Sequence, residues 1–317
     1  MATLIVDGNN MCARFAHSYD LLTSTGKLSG VVYGVMLFLR RFLSSHREYD
    51  RVIFAFDSSV PKFRYKLCPE YKATRAAQRK KRKESELFYY SYMEQVEILK
   101  EVLPKLNVIV AVLPNFEADD AVYKLTREIK CDDGFALYSN DRDFLQMVSK
   151  KRRIVVVKPV HHRPIDEFIS TKPKYYLMQR ALWGDVSDNI KGVSGIGEKR
   201  SNEIIKAIGE SSLSKFFKNV DKCPKYRDKL IENETVIKNN YRVMSLKYAY
   251  DNYSGAAMGL YVKARFSPTG FIEICREYEL KSMSLEGEIF ERLLRVMEHS
   301  IPSDNFKKVK KLEPRRE

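Results

Sequence analysis

Over the first 160 residues the apolar positions come in short runs set between longer amphipathic stretches. The runs at 3–6, 52–56, 108–112, 135–138 and 154–157 are four or five residues long, and four of the five are rich in Val and Ile. Consecutive apolar side chains over so short a span suit strands buried on both faces, the setting of a parallel sheet. Helix-length stretches at 31–43, 85–103 and 117–129, with a shorter one at 141–148, separate them. Strand and helix in alternation predict an α/β domain, a mostly parallel central sheet flanked by helices. From about residue 172 the strand signal fades, and helical patterns broken by Gly-rich or Asn/Asp-rich turns run to about residue 298. The expected division is an α/β domain at 1–171, a helical domain at 172–300 and a mobile tail at 301–317, whose last eleven residues include six basic ones.

Fifty-six Lys and Arg against 41 Asp and Glu give a net charge of +15, with 44% hydrophobic residues. That apolar content is enough for packed cores and excludes a disordered polyelectrolyte. The five cysteines, Cys12, Cys68, Cys131, Cys223 and Cys275, are scattered and never spaced as CxxC or as a Cys/His cluster. A disulfide framework and a zinc site are therefore not expected, and a reducing compartment suits the chain. The opening MATLIVDGNN lacks the basic stretch and long apolar run of a leader, and no window approaches the roughly 20 apolar residues of a membrane span. The expectation is a cytoplasmic protein whose partner is a soluble polyanion, nucleic acid first of all. Residues 62–83 sharpen it: ten basic residues, Arg64, Lys72, Arg75, Arg79, Lys80, Lys81, Arg82 and Lys83 among them, face one acid, Glu70, with Phe63, Tyr65 and Tyr71 interleaved. A solvated helix and loop is the plain alternative, but a local charge of +9 repels itself unless an anion lies nearby.

The acids are placed just as unevenly. Asp7 closes the first run (LIVD), Asp57 the second (VIFAFD), Glu117, Asp119 and Asp120 follow the third (EADD), and Asp141 and Asp143 follow the fourth (SNDRD). In a parallel sheet the C-terminal strand ends share one edge, and ligands bind there. Asp185 and Asp188 (GDVSD) join the seven if the turn after Trp183 packs on the same edge. Any one of these acids reads equally well as a cap or a solvated turn residue, and Asp141 can cap the helix it begins. As a set they resist that reading: with the nine set aside, 32 acids face 56 basic residues, a charge of +24 on the rest of the chain. Acids so crowded take up protons or bind cations. An all-oxygen set without His or Cys selects Mg²⁺ or Mn²⁺ over Zn²⁺.

Residues 189–200 read NIKGVSGIGEKR. Gly192, Gly195 and Gly197 let backbone N–H groups approach an anion, and the following helix presents its positive end with Lys199 and Arg200. The arrangement suits a phosphodiester backbone held without reading its sequence. A helix cap and turn is the alternative; a nucleotide-binding loop is excluded because neither GxxxxGK[ST] nor a GxGxxG after a strand is present.

In family order, LIVDGNN, AFD, EYKATR, EADD, SNDRDF and GDVSDNIKGVSGIGEKR make residues 1 to about 210 resemble the 5′ nuclease superfamily: flap endonucleases, phage 5′ to 3′ exonucleases and the nuclease domain of bacterial DNA polymerase I. The resemblance implies a PIN-like α/β fold with a basic arch at about 62–104 and a helix-hairpin-helix-type motif at about 176–208. With no polymerase region following, it implies a free-standing phage or bacterial enzyme. Asp7, Asp57, Glu117 and Asp119 match the first metal site, with Asp120 close by, and Asp141, Asp143, Asp185 and Asp188 match the second. The implied reaction is two-metal-ion hydrolysis of phosphodiester bonds, leaving a 5′-phosphate and a 3′-hydroxyl, with Mg²⁺ the natural ion and Mn²⁺ a substitute. Asp119 and Asp141 count among the catalytic residues. So do Lys72 and Arg75, which match the basic residues that hold the scissile phosphate, while Tyr71 matches an aromatic on which a terminal base stacks. Arg79 to about Tyr92 would form the arch, which adds Arg79, Lys80, Lys81, Arg82 and Lys83 to Arg64 as DNA contacts. The turn of Gly192, Val193, Gly195 and Gly197 would hold a potassium ion against a DNA phosphate.

Lys191 departs from the proline many members carry, and AAQRKKRK replaces a proline-rich start to the arch. The implied partners are duplex DNA with a 5′ flap, nick or 5′ end, RNA–DNA primer junctions, and a sliding clamp or single-strand-binding protein for the tail of a monomer. A catalytically silent branched-DNA-binding module and a PIN-type ribonuclease are the other readings; the full acid set opposes the first, and the glycine hairpin the second. Beyond Glu210 no chemistry stands out. Phe216, Tyr241, Tyr248 and Phe271 are expected in the core, and His161 and His162 in a loop.

Overall fold

The computed structural model describes residues 2–16, 22–26, 28–46, 48–58, 61–75, 86–159, 163–164, 172–253, 259–261 and 268–280. The five apolar runs become β1 (Ala2–Asp7), β2 (Tyr49–Phe56), β3 (Ile109–Val112), β4 (Phe135–Tyr138) and β5 (Ile154–Lys158). They form one parallel sheet in the order β5-β4-β1-β2-β3. β6 (Arg163–Pro164) is added antiparallel beyond β5. β7 (Gly184–Asp185) and β8 (Ile190–Lys191) pair separately as a small hairpin, and β9 (Gly259–Tyr261) returns antiparallel to β3.

β1 lies at the centre, with β2 and β4 on either side, so the chain order reverses beside it. Such a switch point leaves a crevice outside the C-terminal strand ends, and Asp7 is the last residue of β1. Successive side chains of a strand point to opposite faces. Leu4 and Val6 accordingly pack with Phe54, Val110 and Tyr138 under Met11, Val35, Leu39 and Leu99 of the helices Gly8–Ala16, Gly30–Ser45 and Glu86–Val102. Ile5 faces the other way, joining Ile53, Ala111 and Leu137 under Ala121, Val122 and Leu125 of the helix Ala118–Glu128. With both faces covered over β1, β2, β3 and β4, those runs had to be apolar; in β5 Val155 remains 45% exposed.

A third core belongs to the helical part. Met178, Ala181 and Leu182 of the helix Tyr176–Trp183 meet Ile204, Ile205 and Ile208 of the helix Glu198–Ile208, with Phe216, Leu230 and Ile237 closing it. Tyr71, from the basic segment, is buried in the same cluster.

The structure adds to the sequence picture in three places. The helix Gly8–Ala16 starts directly from β1 and was not predicted: its apolar stripe, Met11, Cys12 and Phe15, is short and follows the strand without a break. The stretch 141–148 is a 3₁₀ helix, Arg142–Met147. The region after residue 254 is not simply more helical domain: β9 pairs with β3, and Ile274, Cys275, Tyr278 and Leu280 pack into the first core beside the sheet. Phe216 is fully buried, as expected. The side chain of Phe271, together with Arg79, Lys80, Lys81, Arg82, Lys83, His161, His162 and the 301–317 tail, lies outside the described residues. Among the described residues no helix is long and apolar enough to cross a membrane.

Candidate metal centre

At the end of β1, Asp7 is 8% exposed, and its carboxylate accepts from the Asn10 amide at 3.0 Å and the Ser139 hydroxyl at 2.9 Å. Burial, reinforced by the charges of Asp141 and Asp57, pushes its carboxyl up to about 7. Asp57, just past β2, accepts from the Ala118 amide at 2.8 Å. It opens to the cleft, but the surrounding protein still excludes enough water to raise its carboxyl, with Glu117 adding to the effect.

Glu117 precedes the helix Ala118–Glu128 as its N-cap and forms a reciprocal capping box with Asp120. Its Oε2 lies 2.9 Å from both the Tyr71 hydroxyl and Arg64 Nη1, and its Oε1 accepts from Lys72 Nζ. Burial pushes this carboxyl up, yet Arg64 and Lys72 outweigh it and hold it below the usual range. Asp119, one residue into the helix, is held well above that range by burial and by Asp120. One oxygen each from Glu117, Asp119 and Asp120 lie within 4.8 Å of one another.

The second group follows β4 and the helix Tyr176–Trp183. Asp141 accepts from the Asp143 amide at 2.8 Å, so it does cap the 3₁₀ turn while facing the cleft. Burial raises it, with Asp188 and Asp185 adding; burial and Asp141 raise Asp143 well above the usual range. Asp185 behaves oppositely. Burial pushes it up, but hydrogen bonds from Ser187 and the Arg180 guanidinium prevail and lower it. Asp188 Oδ1 is 2.9 Å from Arg75 Nη2, and its Oδ2 is 3.1 Å from the Tyr71 hydroxyl, which Glu117 shares. The turn carrying Asp185 and Asp188 thus packs on the strand-end edge. The donors are carboxylate oxygens, and five of them are raised by crowding and burial. A hard divalent cation fits these residues because it would remove that repulsion.

Beside this cluster, the hairpin turn is set by backbone contact. A Cβ on Gly192 would lie 2.1 Å from the carbonyl carbon and oxygen of Trp183, so only glycine passes there. Gly195 has φ +74, a conformation open mainly to glycine. Gly195, Gly197, Lys199 and Arg200 are exposed, while Val193 is buried and donates its amide to Leu182 O at 2.8 Å. Two carbonyls of the expected potassium site already accept hydrogen bonds: Val193 O from the Ile196 amide at 2.9 Å, and Gly195 O from Arg200 Nη1 at 2.5 Å.

Comparison with known proteins agrees with this geometry. Residues 2–175 match the family described as 5′-3′ exonuclease, N-terminal resolvase-like domain, and residues 171–254 match 5′-3′ exonuclease, C-terminal SAM fold. The chain belongs to the 5′-3′ exonuclease family.

The chain is 28% identical over 255 residues to the 5′-3′ exonuclease of Buchnera aphidicola, covering 77% of this chain and 84% of that one. It is 32% identical over 236 residues to the thermostable DNA polymerase I of Thermus thermophilus, where 72% of this chain corresponds to 26% of the polymerase. The chain thus spans about a quarter of that relative's length. In fold it is similar to the bacteriophage T5 flap endonuclease solved with DNA and metal ions, with TM-score 0.63, 20% identity and coverage of 94% of this chain and all of that one. The flap endonuclease-1 of Methanococcus jannaschii shares the fold at TM-score 0.52 and 16% identity, over 93% and 92% of the two chains.

Two site expectations are corrected. Arg64 is 2% exposed and spends its guanidinium inside the protein, on both oxygens of Asp120 at 2.5 and 2.8 Å and on Val243 O at 3.1 Å. A residue so enclosed cannot touch DNA. Asp120 is 4% exposed and pairs both oxygens with Arg64, while one of them stays within 4.8 Å of an oxygen of Glu117 and of Asp119. Tyr71 is 3% exposed, so its ring offers no face to a base; its hydroxyl instead ties Glu117 to Asp188. Sequence reasoning missed Ser139, Asn9, whose side chain accepts from the Asp57 amide at 2.7 Å, and Arg180. Ser139 and Asn9 sit beside the acids in SNDRD and LIVDGNN, which was a usable signal; Arg180 had none.

Proposed function

We propose that this protein hydrolyses phosphodiester bonds at 5′ flaps, nicks and 5′ ends of duplex DNA, and of RNA–DNA primer junctions, using two Mg²⁺ ions that Mn²⁺ can replace. The observation that carries the reading is the convergence of the acids. Asp7, Asp57, Glu117 and Asp119 would hold one ion, and Asp141, Asp143, Asp185 and Asp188 the other. When bound, such ions activate water and stabilise the departing oxygen of an in-line displacement, leaving a 5′-phosphate and a 3′-hydroxyl.

The chain's own residues supply position and charge. Lys72 and Arg75, now paired with Glu117 and Asp188, would turn to the non-bridging oxygens of the scissile phosphate once cations neutralise those acids. Gly192, Gly195, Gly197, Lys199 and Arg200 would hold the phosphate backbone of the duplex. A potassium ion at the turn would share the Gly195 carbonyl with Arg200. The Buchnera relative, named a 5′-3′ exonuclease and matched over 84% of its length, supports the reading.

The test uses end-labelled flap, nicked, gapped and RNA-primed duplexes with Mg²⁺ and then with chelator. Cleavage is expected only with the ion. Asp141→Asn and Asp185→Asn are expected to bind the flap duplex and fail to cut it; full activity in either would defeat the assignment.

A further inference from the structure

Arg180 lies inside the second group of acids, beside Asp185. Its Nη2 donates to Asp185 Oδ2, its side chain is 15% exposed, and its guanidinium sits 5.2 Å from the centroid of the Trp183 ring. Asp143 feels its charge as well. The Arg180 Nε atom is buried and makes no hydrogen bond, so the side chain is held there by the acids and the indole, at the cost of one unmet donor.

The other cations of the cleft differ in how they are anchored. Lys72 lies in a turn with φ +57, and the Arg75 side chain, just past that turn, is 51% exposed. Arg180 springs from a helix whose Met178, Ala181 and Leu182 are fully buried. That packing fixes the backbone from which the guanidinium reaches Asp185. Ser187 donates its amide and hydroxyl to Asp185 Oδ1 at 2.8 and 2.6 Å, so the oxygen that remains for an ion is Oδ2, the one Arg180 already touches.

We infer that Arg180 is a fixed counter-ion and positioning residue of the second metal site: it orients Asp185 and, by adding a permanent positive charge beside Asp143 and Asp185, keeps that site weak until a substrate phosphate brings negative charge. The inference rests on the two-ion reading above. A cation next to the ligands opposes a second cation electrostatically; the anchored guanidinium of the first group, Arg64, reaches Glu117 but is offset by both oxygens of Asp120, whereas Arg180 has only Asp185 as its ion-pair partner among the described residues.

The test is Mn²⁺ binding to the DNA-free protein, followed by electron paramagnetic resonance and calorimetry, so it does not depend on catalysis. Wild type should bind one Mn²⁺ tightly and a second weakly. Arg180→Met keeps the length and removes the charge, and it should tighten the second site by about tenfold or more while leaving the first unchanged. Arg180→Lys keeps the charge and should stay near wild type. Melting temperatures in chelator check that each variant folds, with Arg180→Gln in reserve for the uncharged case. A second site that is unchanged or weaker in the uncharged variant overturns the role of Arg180 alone. No Mn²⁺ binding by wild type overturns the metal centre itself, and this inference with it.

Discussion

The backbone amide of Lys72 donates to the carbonyl of Asp188 at 2.9 Å, while its ammonium reaches Glu117. One residue of the basic segment therefore joins the acids after β3 to the turn of the helical part. Lys72→Ala leaves the backbone bond and removes the charge. Turnover on a flap duplex is expected to fall by about 10²-fold or more, as for loss of a group aimed at developing charge, while duplex affinity changes little. Equal losses in both would make Lys72 an ordinary electrostatic contact.

The Arg64–Asp120 pair should matter to folding and not to DNA. Removing one partner leaves the other charged and buried, at about 3–5 kcal/mol. Arg64→Ala is thus expected to lower the denaturant midpoint strongly, whereas an apolar pair, Arg64→Met with Asp120→Leu, should recover most of it. A folded Arg64→Ala protein of normal stability that has lost DNA affinity would return Arg64 to the DNA surface.

Stability of the metal-free protein should depend on pH in an unusual direction. Asp7 titrates at about 7 when folded against 3.8 ordinarily, and Asp57, Asp119, Asp141 and Asp143 are shifted the same way. Between those values the folded state keeps protons that the unfolded chain has released, so stability declines as pH rises from about 4 to about 7. Glu117 and Asp185, which are lowered, act oppositely but are fewer. In chelator the melting temperature should fall between about pH 4 and pH 7, and Mg²⁺ should raise it more at the higher pH. A chelated protein that grows more stable over that interval would contradict the crowding of these acids.

The hairpin glycines should not be equivalent. Gly192→Ala drives a methyl into the Trp183 carbonyl, whereas a Cβ on Gly197 meets nothing within 4 Å. The first substitution is expected to lower the melting temperature by several degrees and abolish duplex binding, and the second to change stability by under about 0.5 kcal/mol. Calorimetry with a duplex-binding isotherm distinguishes them.

Much of this protein was legible in its residue pattern. Runs buried on both faces of a sheet must be apolar throughout, so the five parallel strands were visible, and acids at the ends of four of them followed from the shared edge of a parallel sheet. β9 was hidden because Gly259–Tyr261 is too short to carry a period, and the return of residues 274–280 to the first core is a choice among apolar surfaces that local pattern does not rank.

Residue type and spacing alone determined which groups carry charge, where the strands end and where the backbone needs glycine. They could not determine which cation meets which acid. Arg64 and Lys72 are both basic, eight positions apart in one segment. Burial turns the first into a structural partner of Asp120 and leaves the second at the cleft, while Arg180 enters from a distant helix. Those pairings arise from contacts between parts of the chain far apart in sequence, so only the packed molecule decides them.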